Sequence, residues 1–268
     1  MSQRTAARTL DAARYAETFA VFVARSFEYP AMSRRLAEAA AACPEGFACL
    51  DVGAGPGKVL REWLAHGGRQ PGRYVAIEPN ASHASSLREM LGALPLNGEV
   101  LETAFDPQLP IPGTYDLVLF SHSLYWMPDP IGCVRHARAA LNENGFVLIF
   151  LQSPIGIHPF FRLFEPLLER DRQLGVNQGF SSHELVQGLR TAGLTPQVTF
   201  DRTPIDLTGL FDRGAEHERD ELISFCLQVE FAELAEPLKS DAIDYLRIVS
   251  VEQEGRLHWY EPTATIRV

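Results

Sequence analysis

The residues best placed to do chemistry lie between positions 48 and 78. A short apolar run, Ala48 to Val52, carries Asp51 near its end and leads into glycines on alternate positions, Gly53, Gly55 and Gly57. Glycine takes up positive φ freely and has no Cβ, so this spacing suits a sharp strand-to-helix turn whose backbone approaches a ligand closely. A second acid, Glu78, closes the run Tyr74-Val75-Ala76-Ile77 about 20 residues further on, where nucleoside-binding α/β folds place an acceptor for ribose hydroxyls. The pattern Asp-x-Gly-x-Gly-x-Gly differs from the dinucleotide spacing G-x-G-x-x-G. The bland alternative is a tight turn in which Glu78 does no more than cap the helix beginning near Ala81.

Two other residues have the chemistry to hold a proton or a cation. His122 sits in Ser121-His122-Ser123-Leu124-Tyr125-Trp126, directly after the apolar run Tyr115 to Phe120. At the carboxyl end of a parallel strand such a segment lines the ligand crevice, and an imidazole titrates near neutrality, at roughly 6.5 when unperturbed. Its alternative is a structural histidine that satisfies a buried neighbour. Glu28 lies at the exit of the first helical stretch, beside Pro30. It is either solvated or turned into a pocket, where its carboxylate would orient a cationic or N–H-bearing group.

Together, the glycine loop and the second acid resemble the class I methyltransferases that use S-adenosylmethionine. The resemblance implies that Asp51, Gly53, Gly55, Gly57 and Glu78 hold the cofactor. His83, in the first turn of the next helix, falls near enough to Glu78 to face the ligand or else lies on the surface. Thr103 and Ala104 occupy the stretch past the third strand that contacts adenine in that superfamily, and Ser121 opens the segment beside the methyl donor. No metal is implied.

A closer likeness, to the histamine N-methyltransferase family, runs from near Tyr15 to the C-terminus. It is carried by Tyr15-x-Glu17-x-Phe19-x-x-Phe22, Ser26-x-Glu28, Ala76-Ile77-Glu78-Pro79, Leu124-Tyr125 and Phe180-Ser181-Ser182-x-Glu184-Leu185. That likeness implies that Glu28 holds the polar substrate and that Tyr15, Phe19, Tyr125, Trp126 and Phe225 enclose it; ordinary packing is the alternative for Phe225. The chain departs from the family where a substrate-contacting glutamine is replaced by His122 and where an asparagine falls near Tyr260. Exchanging two amides for an imidazole and a phenol changes the donors and acceptors on offer. The expected acceptor is therefore a small nitrogen-bearing metabolite, with Glu28 and His122 orienting it or taking its proton during in-line transfer. An O-methyltransferase of a small metabolite and a non-catalytic S-adenosylmethionine-binding protein are the competing readings.

The elements that must position these residues follow from periodicity. Tyr15, Phe19, Phe22 and Val23 recur at helical spacing over Ala12 to Phe27, giving an amphipathic helix that either covers the sheet or forms a lid. Met32 to Ala42, Lys58 to His66, Ala81 to Leu94, Ile131 to Leu141 and Phe160 to Arg172 read as helices. Ser181 with Glu184 three residues on reads as a capping box. Strands are expected over Ala48–Val52, Tyr74–Glu78, Val100–Ala104 (the third strand together with its exit), Tyr115–Phe120 and Phe146–Leu151, with Thr195–Asp201 and Tyr260–Val268 as a closing antiparallel pair. The alternation predicts an α/β, doubly wound, mostly parallel seven-stranded sheet. The expected divisions are an N-terminal helical lid (1–47), a Rossmann-like cofactor core (48–203), an inserted helical cap (204–256) and a final strand (257–268).

Composition limits the partners. A net charge of −10 argues against nucleic acid or anionic membranes, which favour basic surfaces. No apolar stretch is long enough to span a bilayer. Cys43, Cys49, Cys133 and Cys226 lack zinc or disulfide spacing, and no apolar signal core follows the N-terminal arginines. The expectation is a cytoplasmic enzyme, monomer or homodimer, acting on a small molecule. The absence of G-x-S-x-G and H-E-x-x-H disfavours hydrolase and zinc-protease chemistry.

Overall fold

The computed structural model describes residues 5–169 and 180–268. Its α-helices are α1 (Ala12–Arg25), α2 (Glu28–Ala41), α3 (Lys58–Ala65), α4 (Ala81–Gly92), α5 (Pro130–Ala139), α6 (Ile157–Phe164), α7 (Ser182–Thr191), α8 (Glu216–Leu227) and α9 (Glu236–Val249). The chain divides into two compact units. One holds Tyr29–Leu151, Phe180–Asp201 and Thr263–Val268; the other holds the described residues within 1–28, 152–179 and 202–262.

The first unit is built on a seven-stranded sheet of β1 (Ala48–Val52), β2 (Arg73–Ile77), β3 (Asn97–Leu101), β4 (Tyr115–Ser121), β5 (Leu141–Gln152), β6 (Gln197–Asp201) and β7 (Thr263–Arg267), in the order β3-β2-β1-β4-β5-β7-β6. The first five strands of that order are parallel, and β7 runs antiparallel to β6. Alternation along the strands sends side chains to two buried faces. Leu50, Val52, Val75, Ile77, Val118 and Phe120 pack with Val134 and Ala137 of α5 and Leu185 and Leu189 of α7. Cys49, Tyr74, Ala76, Leu117 and Leu119 pack with Met32 and Leu36 of α2, Leu60 and Trp63 of α3 and Leu87 of α4. The strand order reverses at β1, between β2 and β4, which puts the ligand crevice of such a sheet at the carboxyl ends of β1 and β4.

The second unit has its own core, in which Phe22 packs with Phe160, Phe164, Leu222, Cys226, Leu246 and Trp259. Charge adds to the joining of α1 and α8. Arg14 Nη2 donates to Glu221 at 2.6 Å, and Arg25 Nε donates to Glu218 at 2.7 Å. A three-stranded sheet of Pro204–Asp206, Arg256–Tyr260 and Val251–Gln253 completes this unit. The helix expected to be a lid and the helices expected to be a cap therefore share one core, whereas most of α2 falls in the sheet unit.

Several boundaries differ from the sequence expectation. Asn142 to Gly145, read as a helix stop, are part of β5, where a register shift between Tyr115 and Leu117 absorbs the irregular pairing. The third strand begins earlier than expected, at Asn97, and ends at Leu101, which leaves Thr103 and Ala104 past it as expected. Tyr260–Val268 is two strands rather than one, because Pro262 has no N–H for a ladder and Tyr260 pairs with Pro204 in the small sheet. The helix expected to reach Arg172 stops at Phe164, and a 3-10 turn containing Pro166 follows; residues 170–172 of that expectation lie outside the described residues. The capping box forms as expected, with Glu184 accepting from the Ser181 N–H at 2.9 Å. All four cysteines are buried and outside any disulfide. Among the described residues, no helix is long and apolar enough to cross a membrane.

Candidate active site

The glycine loop occupies the positive-φ region throughout, with Gly53 at 72°, Gly55 at 57° and Gly57 at 79°. The three glycines are needed for different reasons. A Cβ on Gly53 would stand 2.4 Å from Ser123 Cβ, and one on Gly57 would stand 2.4 Å from Met90 Cε. A Cβ on Gly55 would meet nothing within 4 Å. The outer two are thus pressed against the protein, while the middle one turns toward open space.

Glu78 holds this loop from the neighbouring strand. It is buried; its Oε2 accepts the Gly55 N–H at 2.8 Å and its Oε1 accepts the Asn80 N–H at 2.9 Å. Asn80, not Glu78, caps α4, accepting from His83 N. A carboxylate has about four lone-pair sites, so two donors leave capacity for two more. His83 Nδ1 stands 3.8 Å from Glu78 Oε1, and its side chain is 46% exposed. Leu101 O accepts from both the Glu78 and Thr103 N–H groups, each at 3.0 Å, which brings the half-buried Thr103 beside Glu78. Ala104 is exposed.

Asp51 is 2% exposed, on the sheet face it shares with Tyr74. Tyr74 Oη donates to its Oδ2 at 2.6 Å, while Oδ1 is buried with no hydrogen-bond partner among the described residues. Burial pushes the Asp51 carboxyl up to about 7; the Tyr74 hydrogen bond opposes that rise and the charge of Glu78 adds to it. Such an orphaned acid beside a nucleoside-type loop suits a cationic ligand group.

The segment after β4 is pinned to the same loop. Ser123 Oγ donates to Val52 O at 2.6 Å, and the His122 N–H donates to Phe150 O at 3.0 Å. His122 has φ of 50°, an uncommon conformation outside glycine. Its Nδ1 lies 3.2 Å from Tyr125 Oη and the two rings stack at 6.0 Å. Ser121 Oγ lies 3.9 Å from Met32 Sδ. Trp126 is half exposed.

The remaining expected residues lie in the second unit. Tyr15, Phe19 and Phe225 form a ring cluster with centroids 5.5 to 5.9 Å apart. Glu28 is 5% exposed rather than solvated. Burial, then the charge of Glu28, pushes the Tyr15 phenol up to about 12. Tyr260 is not part of that cluster; it packs on His258 and under Arg202.

Three residues here had escaped the sequence reading. Tyr74 looks like any strand aromatic, and Ser123 like any loop serine. Glu261 is 3% exposed and its carboxylate accepts the Ile157 N–H at the start of α6; burial raises its pKa well above the ordinary range, with the Glu28 charge adding to the shift. A residue before a proline near a strand end carries no pattern that separates it from a surface acid.

A sheet in this order, with a glycine turn and an acid at adjacent strand ends, is a Rossmann-like fold of the nucleoside-binding kind. The chain belongs to the methyltransferase-domain family, whose sequence profile matches residues 24–197, and it is a transferase. Among solved structures it is similar to a candidate methyltransferase of Bacillus halodurans, at 15% identity over 88% of this chain and 96% of that one, with a TM-score of 0.57. It is also similar to the YcgJ protein of Bacillus subtilis, at 14% identity over the same shares and a TM-score of 0.56. Likeness at these identities shows the fold. No curated protein matches the chain.

Proposed function

We propose that the chain methylates a small nitrogen-bearing metabolite of amine or imidazole type. The observation that carries the acceptor class is Glu28, a buried acid whose charge is felt by Tyr15 of the aromatic cluster; the loop supports the cofactor half, since the space beside Gly55 is open and Glu78 and Asp51 keep unused acceptor capacity at adjacent strand ends. Asp51, Gly53, Gly55, Gly57 and Glu78 are assigned to S-adenosylmethionine, with His83, Thr103, Ala104 and Ser121 around it. When bound, S-adenosylmethionine supplies a methyl group already activated on a sulfonium, so that alignment and exclusion of water are the main tasks left to the protein.

Asp51 Oδ1 offers a carboxylate oxygen to the cofactor's cationic end, and Glu78 offers its spare lone pairs to the ribose hydroxyls. His122 and Glu28 are assigned to the acceptor. An amine must be neutral to react; His122 takes its proton or, with Tyr125, orients it. Glu28 holds a cationic or N–H-bearing part of the acceptor through a charge-assisted hydrogen bond. Tyr15, Phe19, Phe225, Tyr125 and Trp126 are assigned to its walls, where aromatic faces favour cations; Tyr260, which packs with His258 and Arg202 instead, is left out of them.

Mass spectrometry of products from pooled amines, phenols and carboxylates, incubated with the enzyme and labelled S-adenosylmethionine, tests the reading. Label on an amine or imidazole nitrogen supports it, and label confined to oxygen overturns the acceptor class. The His122→Ala and Glu28→Ala enzymes are expected to turn over that acceptor about 100-fold or more slowly. Wild-type rates in both would sink their assignments.

A further inference from the structure

The small sheet of the second unit carries a cleft of about 380 Å³ that none of the roles above uses. Its lining includes Arg202, Gln253, Glu254, Arg256, His258 and Tyr260. It is built by a two-residue hairpin: Glu254 and Gly255, at φ 53° and 74°, join Val251–Gln253 to Arg256–Tyr260 in the manner of a type I′ turn. Arg256 thus comes directly after the turn, and alternate residues His258 and Tyr260 share its face.

From the polar groups of this cleft, we infer that it is a binding site for an oxyanion, the carboxylate or phosphate group of a small molecule. The Arg202 guanidinium lies over the Tyr260 ring at 4.6 Å and is paired with no carboxylate among the described residues. A guanidinium set over a ring in this way still has its N–H groups to offer, the fork that suits carboxylate and phosphate, and Arg202 lines the cleft. Arg256 has one carboxylate neighbour, Asp206, at 3.5 Å from Nη1, which leaves most of its donors uncommitted. His258 Nδ1 is buried without a hydrogen-bond partner among the described residues, and an anionic oxygen gives that nitrogen an acceptor when it carries the proton. Tyr260 Oη donates to Gln253 Oε1 at 2.9 Å, so the amide nitrogen of Gln253 remains a donor. Among the described residues, Glu254 is the one acid in the lining, set against two arginines.

The inference is independent of the acceptor class proposed above. Calorimetric titrations of the full chain with inorganic phosphate and, separately, with citrate, at constant ionic strength, test it. Saturable binding of either probe is expected, and the stronger of the two identifies the oxyanion. Binding should weaken by about tenfold or more in both Arg202→Gln and Arg256→Gln, while their affinity for S-adenosylmethionine stays at the wild-type value. In nitrogen-15 spectra the His258 ring resonances should shift along the same titration curve. The inference is overturned by no saturable heat with either probe, by unchanged binding in both variants, by a static His258 signal, or by equal loss of S-adenosylmethionine affinity.

Discussion

Substituting alanine at Gly53 and at Gly55 separates support of the loop from ligand approach. Both residues have positive φ, so each alanine costs roughly 1–2 kcal/mol in backbone strain. At Gly55 that is the whole folding cost, because the added methyl meets nothing within 4 Å. At Gly53 the new Cβ lands 2.4 Å from Ser123 Cβ, an atom that no side-chain rotation can move, so the backbone must shift. Overpacking of this kind adds about 1–3 kcal/mol, and displacing Ser123 endangers its 2.6 Å bond to Val52 O. Gly53→Ala should therefore lose roughly 2–5 kcal/mol in total. Urea denaturation measures stability and calorimetry with S-adenosylmethionine measures binding. Gly55→Ala should lose only the strain of roughly 1–2 kcal/mol, less than Gly53→Ala, yet bind at least about tenfold more weakly, or ~1.4 kcal/mol. If Gly55→Ala bound normally, or Gly53→Ala were the more stable of the two, the loop would not be the cradle described above.

Other outcomes follow from Asp51 and the second core. Because the folded-state carboxyl of Asp51 is raised from 3.8 to about 7, the native chain holds a proton there that the unfolded chain has lost. This group's contribution therefore declines as pH climbs from about 4 to 7, by roughly 4 kcal/mol; Asp51→Asn should flatten that slope in urea titrations at several pH values and abolish S-adenosylmethionine binding. Tyr74→Phe removes the one hydrogen-bond donor to the Asp51 carboxyl among the described residues, costing about 1–3 kcal/mol, and should raise the Asp51 midpoint further in carboxyl-carbon NMR. Phe22→Ala removes a buried ring 4.6 Å from that of Phe225 and should lower the unfolding transition of the second unit by about 3–5 kcal/mol, followed by hydrogen exchange.

What could be read in advance was what local rules determine. Alternate glycines after an acid, apolar runs of strand length, and a serine three residues before a glutamate each state their own geometry within a few positions. What escaped depends on partners distant in the chain. Nothing near Tyr74 announces that its hydroxyl meets Asp51, and Glu261 acquires its burial from Ile157, 104 residues away. Asn142 to Gly145 look like a loop because a polar run with glycine usually is one, yet β4 offers Tyr115 as a partner to Leu141 and draws the stretch into the sheet. Local sequence leaves Glu28 either solvated or turned inward, and its burial is decided by distant chain, where Glu261 feels its charge.

The placement of β7 has a consequence for biogenesis. This strand, at Thr263–Arg267, inserts between β5 and β6, and β6 pairs with no other strand among the described residues. A ribosome delivers β6 before the strand that anchors it, with α8, α9 and the hairpin still to be made. Until Thr263 emerges, β5 presents an uncovered rim of amides and carbonyls and β6 has nothing to zip against, an arrangement that invites pairing with neighbouring nascent chains. Stalling or truncation just ahead of the last strand would therefore yield aggregates rather than a smaller working enzyme.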